Sequence, residues 1–276
     1  MAQTLRTSQT VALAPSQVLR VYGMRRSGNH ALIDWMLRNA PDGNGLFLNN
    51  CRPGRDPLQT TRGVSVYQAG TDVAANGLGT KLAAAGPAPF TVVSYEDCIL
   101  GEGDKPLYDA PETCVIIYRS FLNWSASLLR KIQGNPGYGP LERNRVMMQA
   151  LRTYQEMLER VQSSDVVPVL YDAWMADAAY RAEALCRLGL PGRDLGRGHV
   201  QRYGGGSSFQ GKTADVSDLS TNHRSAQMSD DLEYQLLIWT VARDLGFMER
   251  LADVFPDDAE RLSRLLDTAQ AKVSLP

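Results

Sequence analysis

The residues best suited to chemistry in this chain stand in one short run, Gly23-Met24-Arg25-Arg26-Ser27-Gly28-Asn29-His30. Two glycines separated by four residues let a loop turn tightly and bring its backbone N–H groups close to a ligand. Where a helix starts directly after such a loop, those N–H groups and the helix dipole together attract an anion, phosphate above all. A P-loop NTPase with this glycine spacing needs Lys after the second glycine, to reach the β/γ-phosphates, and then Ser or Thr to hold Mg²⁺. Asn29 and His30 occupy those positions here, and the positive charge sits inside the loop as Arg25 and Arg26. The chemistry this predicts is metal-free binding of a phosphorylated nucleotide.

Two more segments end in residues of the right type. Thr113-Cys-Val-Ile-Ile-Tyr118 is short and β-branched, ends at Arg119, and is followed by Ser127 eight residues farther on. A guanidinium presents a planar fork to phosphate, and a hydroxyl one or two turns into the next helix adds a donor. The bland reading is an arginine closing a strand and a serine packed in mid-helix. Phe90-Thr-Val-Val-Ser-Tyr95 is apolar and ends in Glu96 and Asp97. Ligands of open parallel sheets bind beyond the carboxyl ends of strands, so both acids are expected near the loop. One can serve there as a general base; adjacent acids at a strand end can equally be solvated or paired with an arginine.

These residues need a scaffold of alternating strands and helices. Strands are predicted at 18–22, 91–95, 114–118 and 166–171, with a short one near 45–49. The alternation implies an α/β fold with a central parallel sheet flanked by helices on both faces, and the glycine spacing of the loop is that of a P-loop-type domain. A helix is expected to follow the 166–171 strand through about Leu188, stopped by Gly189-Leu-Pro191. The 141–162 stretch reads as an amphipathic helix, with Met147, Leu151, Tyr154, Leu158 and Val161 along one stripe. Further helices are predicted at about 229–245, introduced by Ser229-Asp-Asp, and at about 257–271. Residues 1–16 read as a loose arm before one domain at 17–276, with an irregular insertion at about 41–89 and a flexible loop at about 200–226.

The loop resembles the 5′-phosphosulfate-binding loop of the sulfotransferases that use 3′-phosphoadenosine 5′-phosphosulfate (PAPS). Those enzymes carry a basic residue and then Ser-Gly-Thr-Thr, or a variant of it, after a short strand. Arg26-Ser27-Gly28-Asn29-His30 stand in that place, with Arg26 instead of the usual Lys and neither Asn29 nor His30 the usual Thr. The resemblance covers about residues 17–40 and 90–190 and is weaker over 200–245. It implies PAPS as sulfuryl donor, no metal, and a hydroxyl or amine acceptor on a small molecule, carbohydrate or peptide. It implies that Arg25, Arg26, Ser27, Gly28, Asn29 and His30 hold the phosphosulfate, with Arg26 acting on the departing oxygen. It implies that Arg119 and Ser127, at the family's spacing, grip the 3′-phosphate, and that Tyr171 touches the nucleoside. In the late Gly-rich loop, Arg202, Ser207 and Ser208 are candidates to close over the 3′-phosphate. Glu96 or Asp97 is the implied base, with His30 a weaker candidate.

Composition narrows the classes. A chain of 276 residues that is 43% hydrophobic can bury a large core. A net charge of −1 and a pI of about 6.3 argue against a general nucleic-acid binder. Cys51, Cys98, Cys114 and Cys186 are scattered, and His30, His199 and His223 show no metal-ligand spacing. No run reaches transmembrane length and no signal sequence is apparent, so a cytoplasmic location is expected. Two other readings keep the loop: a P-loop kinase or NTPase, which would require Mg²⁺, and a catalytically silent nucleotide-binding module.

Overall fold

The computed structural model describes residues 13–98, 105–199, 209 and 223–273. Strands β1 (Gln17–Gly23), β2 (Gly45–Asn49), β3 (Gly63–Gln68), β4 (Thr71–Val73), β5 (Phe90–Glu96), β6 (Glu112–Tyr118) and β7 (Val167–Leu170) form one sheet ordered β4-β3-β2-β5-β1-β6-β7. The pairs β2–β5, β5–β1, β1–β6 and β6–β7 are parallel, while β2–β3 and β3–β4 are antiparallel. Helices are α1 (Asn29–Arg38), α2 (Pro57–Thr60), α3 (Leu78–Ala85), α4 (Phe121–Gln133), α5 (Pro140–Arg160), α6 (Tyr171–Ala176), α7 (Ala178–Arg187), α8 (Leu232–Val241), α9 (Leu245–Val254) and α10 (Pro256–Val273).

Both faces of the parallel strands are covered, which is why those strands read as nearly unbroken apolar runs. Along β1, Val18 and Tyr22 enter one core with side chains of α3, α4, α5, α8, α9 and α10. Leu19 and Val21 enter the opposite core with α1, α6 and α7. From β1 the chain passes through α1 to β2 on one side; from β5 it later crosses over to β6 on the other. A reversal of this kind opens a crevice at the carboxyl ends of the central strands. The loop after β1 lies at that crevice.

The helical layer above β6 is tied to the crevice. Ser120 caps α4, and its hydroxyl donates to Asp258 Oδ2 of α10 at 2.8 Å, which also accepts the Leu122 N–H at 3.2 Å. Trp124 stacks on Tyr154 of α5 with centroids 4.5 Å apart, and the Tyr154 hydroxyl donates to the Arg119 carbonyl at 2.6 Å. The start of α4 is therefore fixed by α5 and α10 together.

Several expectations are corrected. The strand expected near 45–49 is β2, but the rest of the 41–89 stretch is not irregular: it contains α2, β3, β4 and α3, and the hairpins through β3 and β4 extend the sheet edge. Their short, turn-rich strands lack the apolar runs that mark the parallel core. The single helix expected after β7 is two, because Asp177 takes an extended conformation and caps α7 by accepting the Ala179 N–H at 2.8 Å. Asp231, not Ser229, caps α8, and α8 stops at Val241 before Asp244 caps α9. Of the arm expected at 1–16, residues 13–16 are described and lie against the fold, with Ser16 N–H donating to the Pro89 carbonyl at 3.2 Å.

Candidate functional site

The loop between β1 and α1 is shaped by two left-handed residues, Arg26 (φ 72°) and Gly28 (φ 87°). A turn closes where Ser27 N–H donates to the Met24 carbonyl at 3.1 Å. Both glycines are required, for different reasons. A Cβ on Gly23 would stand 2.3 Å from Oδ1 of Asn29, whose Nδ2 donates to the Met24 carbonyl at 3.2 Å. A Cβ on Gly28 would stand 2.1 Å from the Tyr171 ring, besides forcing a side chain into left-handed backbone. Gly28→Ala is therefore expected to cost about 3 kcal/mol or more. Thermal unfolding should show Tm lower by roughly 6–12 °C; an unchanged Tm would contradict this packing.

Three features of the loop suit an anion. Helix α1 is preceded by Gly28 as N-cap, with no side-chain cap on its first-turn N–H groups among the described residues. The Ser27 hydroxyl is buried with no hydrogen-bond partner among the described residues. Arginines converge on the loop. Arg119, buried at the end of β6, donates from Nη1 to the Arg26 carbonyl at 3.2 Å and to Ser127 Oγ at 3.3 Å. Its Cζ lies 5.0 Å from the centroid of Tyr171, the same ring that packs on Gly28.

Arg224 joins them. Its backbone N–H donates to Asn123 Oδ1 at 3.0 Å, and its guanidinium lies over the Phe209 ring. Burial, then the nearby Arg119, lowers the pKa of Arg26. Burial, then Arg119, pushes Arg224 down to about 10, with Arg26 adding to the repulsion. Desolvated guanidiniums that repel one another gain when an anion with several negative charges enters between them. Asp172 fixes the geometry: its Oδ2 accepts the Ser120 N–H at 2.7 Å and its Oδ1 lies 3.5 Å from Arg119 Nε.

The two acids at the end of β5 have different surroundings. Asp97, with a left-handed backbone (φ 54°), donates its N–H to the Gly23 carbonyl at 3.2 Å. Its carboxylate accepts the Arg25 N–H at 2.8 Å and pairs with the Arg25 guanidinium. Trp124 Nε1 holds the Arg25 carbonyl at 3.0 Å from the other side. Asp97 is thus a brace for the loop. Glu96 accepts a hydrogen bond from Asn50 Nδ2 at 3.1 Å, and burial, then Asp97, raises its pKa against the opposing pull of Arg25, Asn29 and Arg62. His30 is pushed down by burial and by Arg26, which favours its neutral form, and its ring meets Phe47 edge-on at 6.2 Å.

The fold therefore gathers Arg25, Arg26, Ser27, Gly28, Asn29, His30, Glu96, Asp97, Arg119, Ser127 and Tyr171 around one crevice. Arg202, Ser207 and Ser208 lie outside the described residues. Sequence reasoning missed Asp172 and Arg224. Asp172 directly follows Tyr171 and could have been read with it, whereas nothing in the residues around Arg224 marks it as buried.

No protein-family model and no curated protein matches the chain. Among the described residues, no helix is long and apolar enough to cross a membrane. Nor does any group of three or more His, Cys, Asp or Glu among them have the placement to hold a metal ion.

Proposed function

We propose that the chain is a sulfotransferase that moves a sulfuryl group from PAPS to a hydroxyl or amine. The observation that carries this reading is the Arg119–Ser127 pair, bonded at 3.3 Å and docked on the carbonyl of Arg26. It sets a guanidinium fork and a hydroxyl beside an uncapped phosphate loop, where a second phosphate on the same nucleotide would meet them. The unpartnered Ser27 hydroxyl and the repelling arginines fit a polyanionic ligand as well.

Bound PAPS supplies the sulfur: the acceptor atom forms the new bond to it as the bond from sulfur to the 5′-phosphate oxygen breaks, leaving adenosine 3′,5′-bisphosphate. The residues of this chain do the rest. The first-turn N–H groups of α1 and the Ser27 hydroxyl hold the 5′ group, and Arg26 offsets charge growing on the departing oxygen. Arg119 and Ser127 distinguish the 3′-phosphate from the bare ribose of ATP. Glu96 takes the acceptor's proton. Asp97 holds Arg25 and the loop in place.

Adenosine 3′,5′-bisphosphate in EDTA should raise Tm through binding to the native state alone. No stabilisation by the bisphosphate, together with a shift by Mg²⁺-ATP, would instead favour a phosphate-transferring enzyme. Asp172→Asn tests the support of Arg119. The lost contact is an ion pair at 3.5 Å, worth about 1 kcal/mol or less, so bisphosphate binding should weaken by only about two- to fivefold. Unchanged affinity would remove Asp172 from the account.

A further inference from the structure

The sheet order divides the crevice at β1. On one side β6 and β7 deliver Arg119 and Tyr171; on the other β5 and β2 deliver Glu96 and the connection from β2 to β3. That connection, Asn50-Cys-Arg52-Pro-Gly-Arg55-Asp-Pro-Leu-Gln-Thr-Thr-Arg62, carries three arginines and one acid. It is pinned to the sheet. Asn50 N–H donates to Ser94 Oγ at 2.9 Å and Cys51 N–H to the Ser94 carbonyl at 2.8 Å. At its far end Arg62 N–H donates to the Asn49 carbonyl at 2.8 Å. Its acid is already engaged, since Asp56 caps α2 by accepting the Leu58 N–H at 2.9 Å.

Arg52, Arg55 and Arg62 are exposed, and none has a carboxylate within ion-pair distance among the described residues. The backbone that bears them is joined to Glu96 through Asn50, whose amide donates to Glu96 Oε2 at 3.1 Å. Arg62 lies close enough to act electrostatically on Glu96. A single exposed ion pair is weak, but several arginines on a segment whose backbone is pinned meet an anion at the cost of ordering their side chains alone.

We infer that the β2–β3 connection is an anion subsite and that the acceptor carries a carboxylate, sulfate or phosphate group, held there while its reacting hydroxyl or amine lies at Glu96. The word acceptor rests on the sulfotransferase reading; the anion subsite does not. An anionic acceptor approaching both a carboxylate base and a phosphosulfate is repelled by each. Positive charge on this side of β1 removes that penalty, whereas a neutral acceptor has no need of it.

The test is calorimetric titration of the protein saturated with adenosine 3′,5′-bisphosphate. Three probes are compared: a glucuronate-containing tetrasaccharide, its carboxyl-reduced neutral counterpart, and a sulfated tetrasaccharide of the same backbone. At low salt the acidic probes should bind at least about tenfold more tightly than the neutral one, with the difference shrinking as salt rises. Comparing the two acidic probes separates carboxylate from sulfate recognition. The double variant Arg52→Ala/Arg62→Ala should lose about tenfold or more of acidic-probe affinity and leave bisphosphate affinity unchanged. Equal affinity for acidic and neutral probes, absence of binding by all three, or an unaffected double variant would each overturn the inference. Failure of the bisphosphate to bind wild type would overturn the donor reading instead, and acidic-probe binding would then still be read on its own.

Discussion

Glu96→Gln should lower turnover by about 10²–10⁴-fold while leaving the Kd for adenosine 3′,5′-bisphosphate within about twofold of wild type. The amide cannot take a proton from the acceptor, yet its oxygen can still accept the Asn50 hydrogen bond, so the local structure has little reason to change. The pH profile should carry the same signature. Burial and the neighbouring Asp97 raise the Glu96 pKa above its ordinary 4.5. In the proposed mechanism the base is the carboxylate, so kcat/KM should be complete above the raised pKa and decline as pH falls through it. That acid limb should lie at a higher pH than an exposed glutamate would give, and it should vanish in Glu96→Gln. Asp97→Asn serves as the contrast. Asp97 is committed to Arg25, so its loss should act mainly on nucleotide affinity through the loop. Full activity in Glu96→Gln would remove Glu96 as base and leave the neutral His30 to be tested next.

Arg119→Ala should weaken adenosine 3′,5′-bisphosphate by about 100-fold or more. Two charge-assisted hydrogen bonds to a phosphate are together worth roughly 3 kcal/mol, and truncation also releases the Arg26 carbonyl and Ser127 from their common donor. Tyr154 grips the backbone carbonyl of residue 119, not its side chain, so the start of α4 should hold. Thermal unfolding run beside the titration separates loss of the site from loss of the fold. Arg119→Lys keeps the charge but not the fork, and should recover only part of the affinity. ATP, without a 3′-phosphate, should lose far less affinity than the bisphosphate in both variants.

Much of this site was legible in the residues because it lies where strands end. Val18–Tyr22 and Cys114–Tyr118 are short runs rich in apolar and β-branched residues, so the positions just beyond them, Gly23 and Arg119, could be placed at the crevice from the sequence. The 140–160 helix was equally plain from its apolar stripe. What escaped depends on contacts between distant segments. Asp97 and Arg25 are 72 residues apart, and only the fold distinguishes the brace Asp97 from the less engaged Glu96 beside it. Arg224 carries no periodic or turn signal and is brought to the site by the fold, where its N–H donates to Asn123 on α4. Arg20 was read within an apolar strand, yet it is a buried cation paired with Glu112 on the neighbouring strand. The hairpins of 41–89 were hidden because their edge strands are short and held by pairing more than by apolar periodicity.

The proposed function requires the crevice to hold a nucleotide bearing both a 5′ and a 3′ anionic group without a metal ion. The most direct measurement is calorimetric titration of wild type and Arg119→Ala with adenosine 3′,5′-bisphosphate in EDTA, beside ATP with and without Mg²⁺. Tight metal-free binding of the bisphosphate to wild type is expected, with about 100-fold weaker binding to Arg119→Ala and weak binding of ATP whether or not Mg²⁺ is present. Preference for Mg²⁺-ATP, or bisphosphate binding indifferent to Arg119, would contradict it.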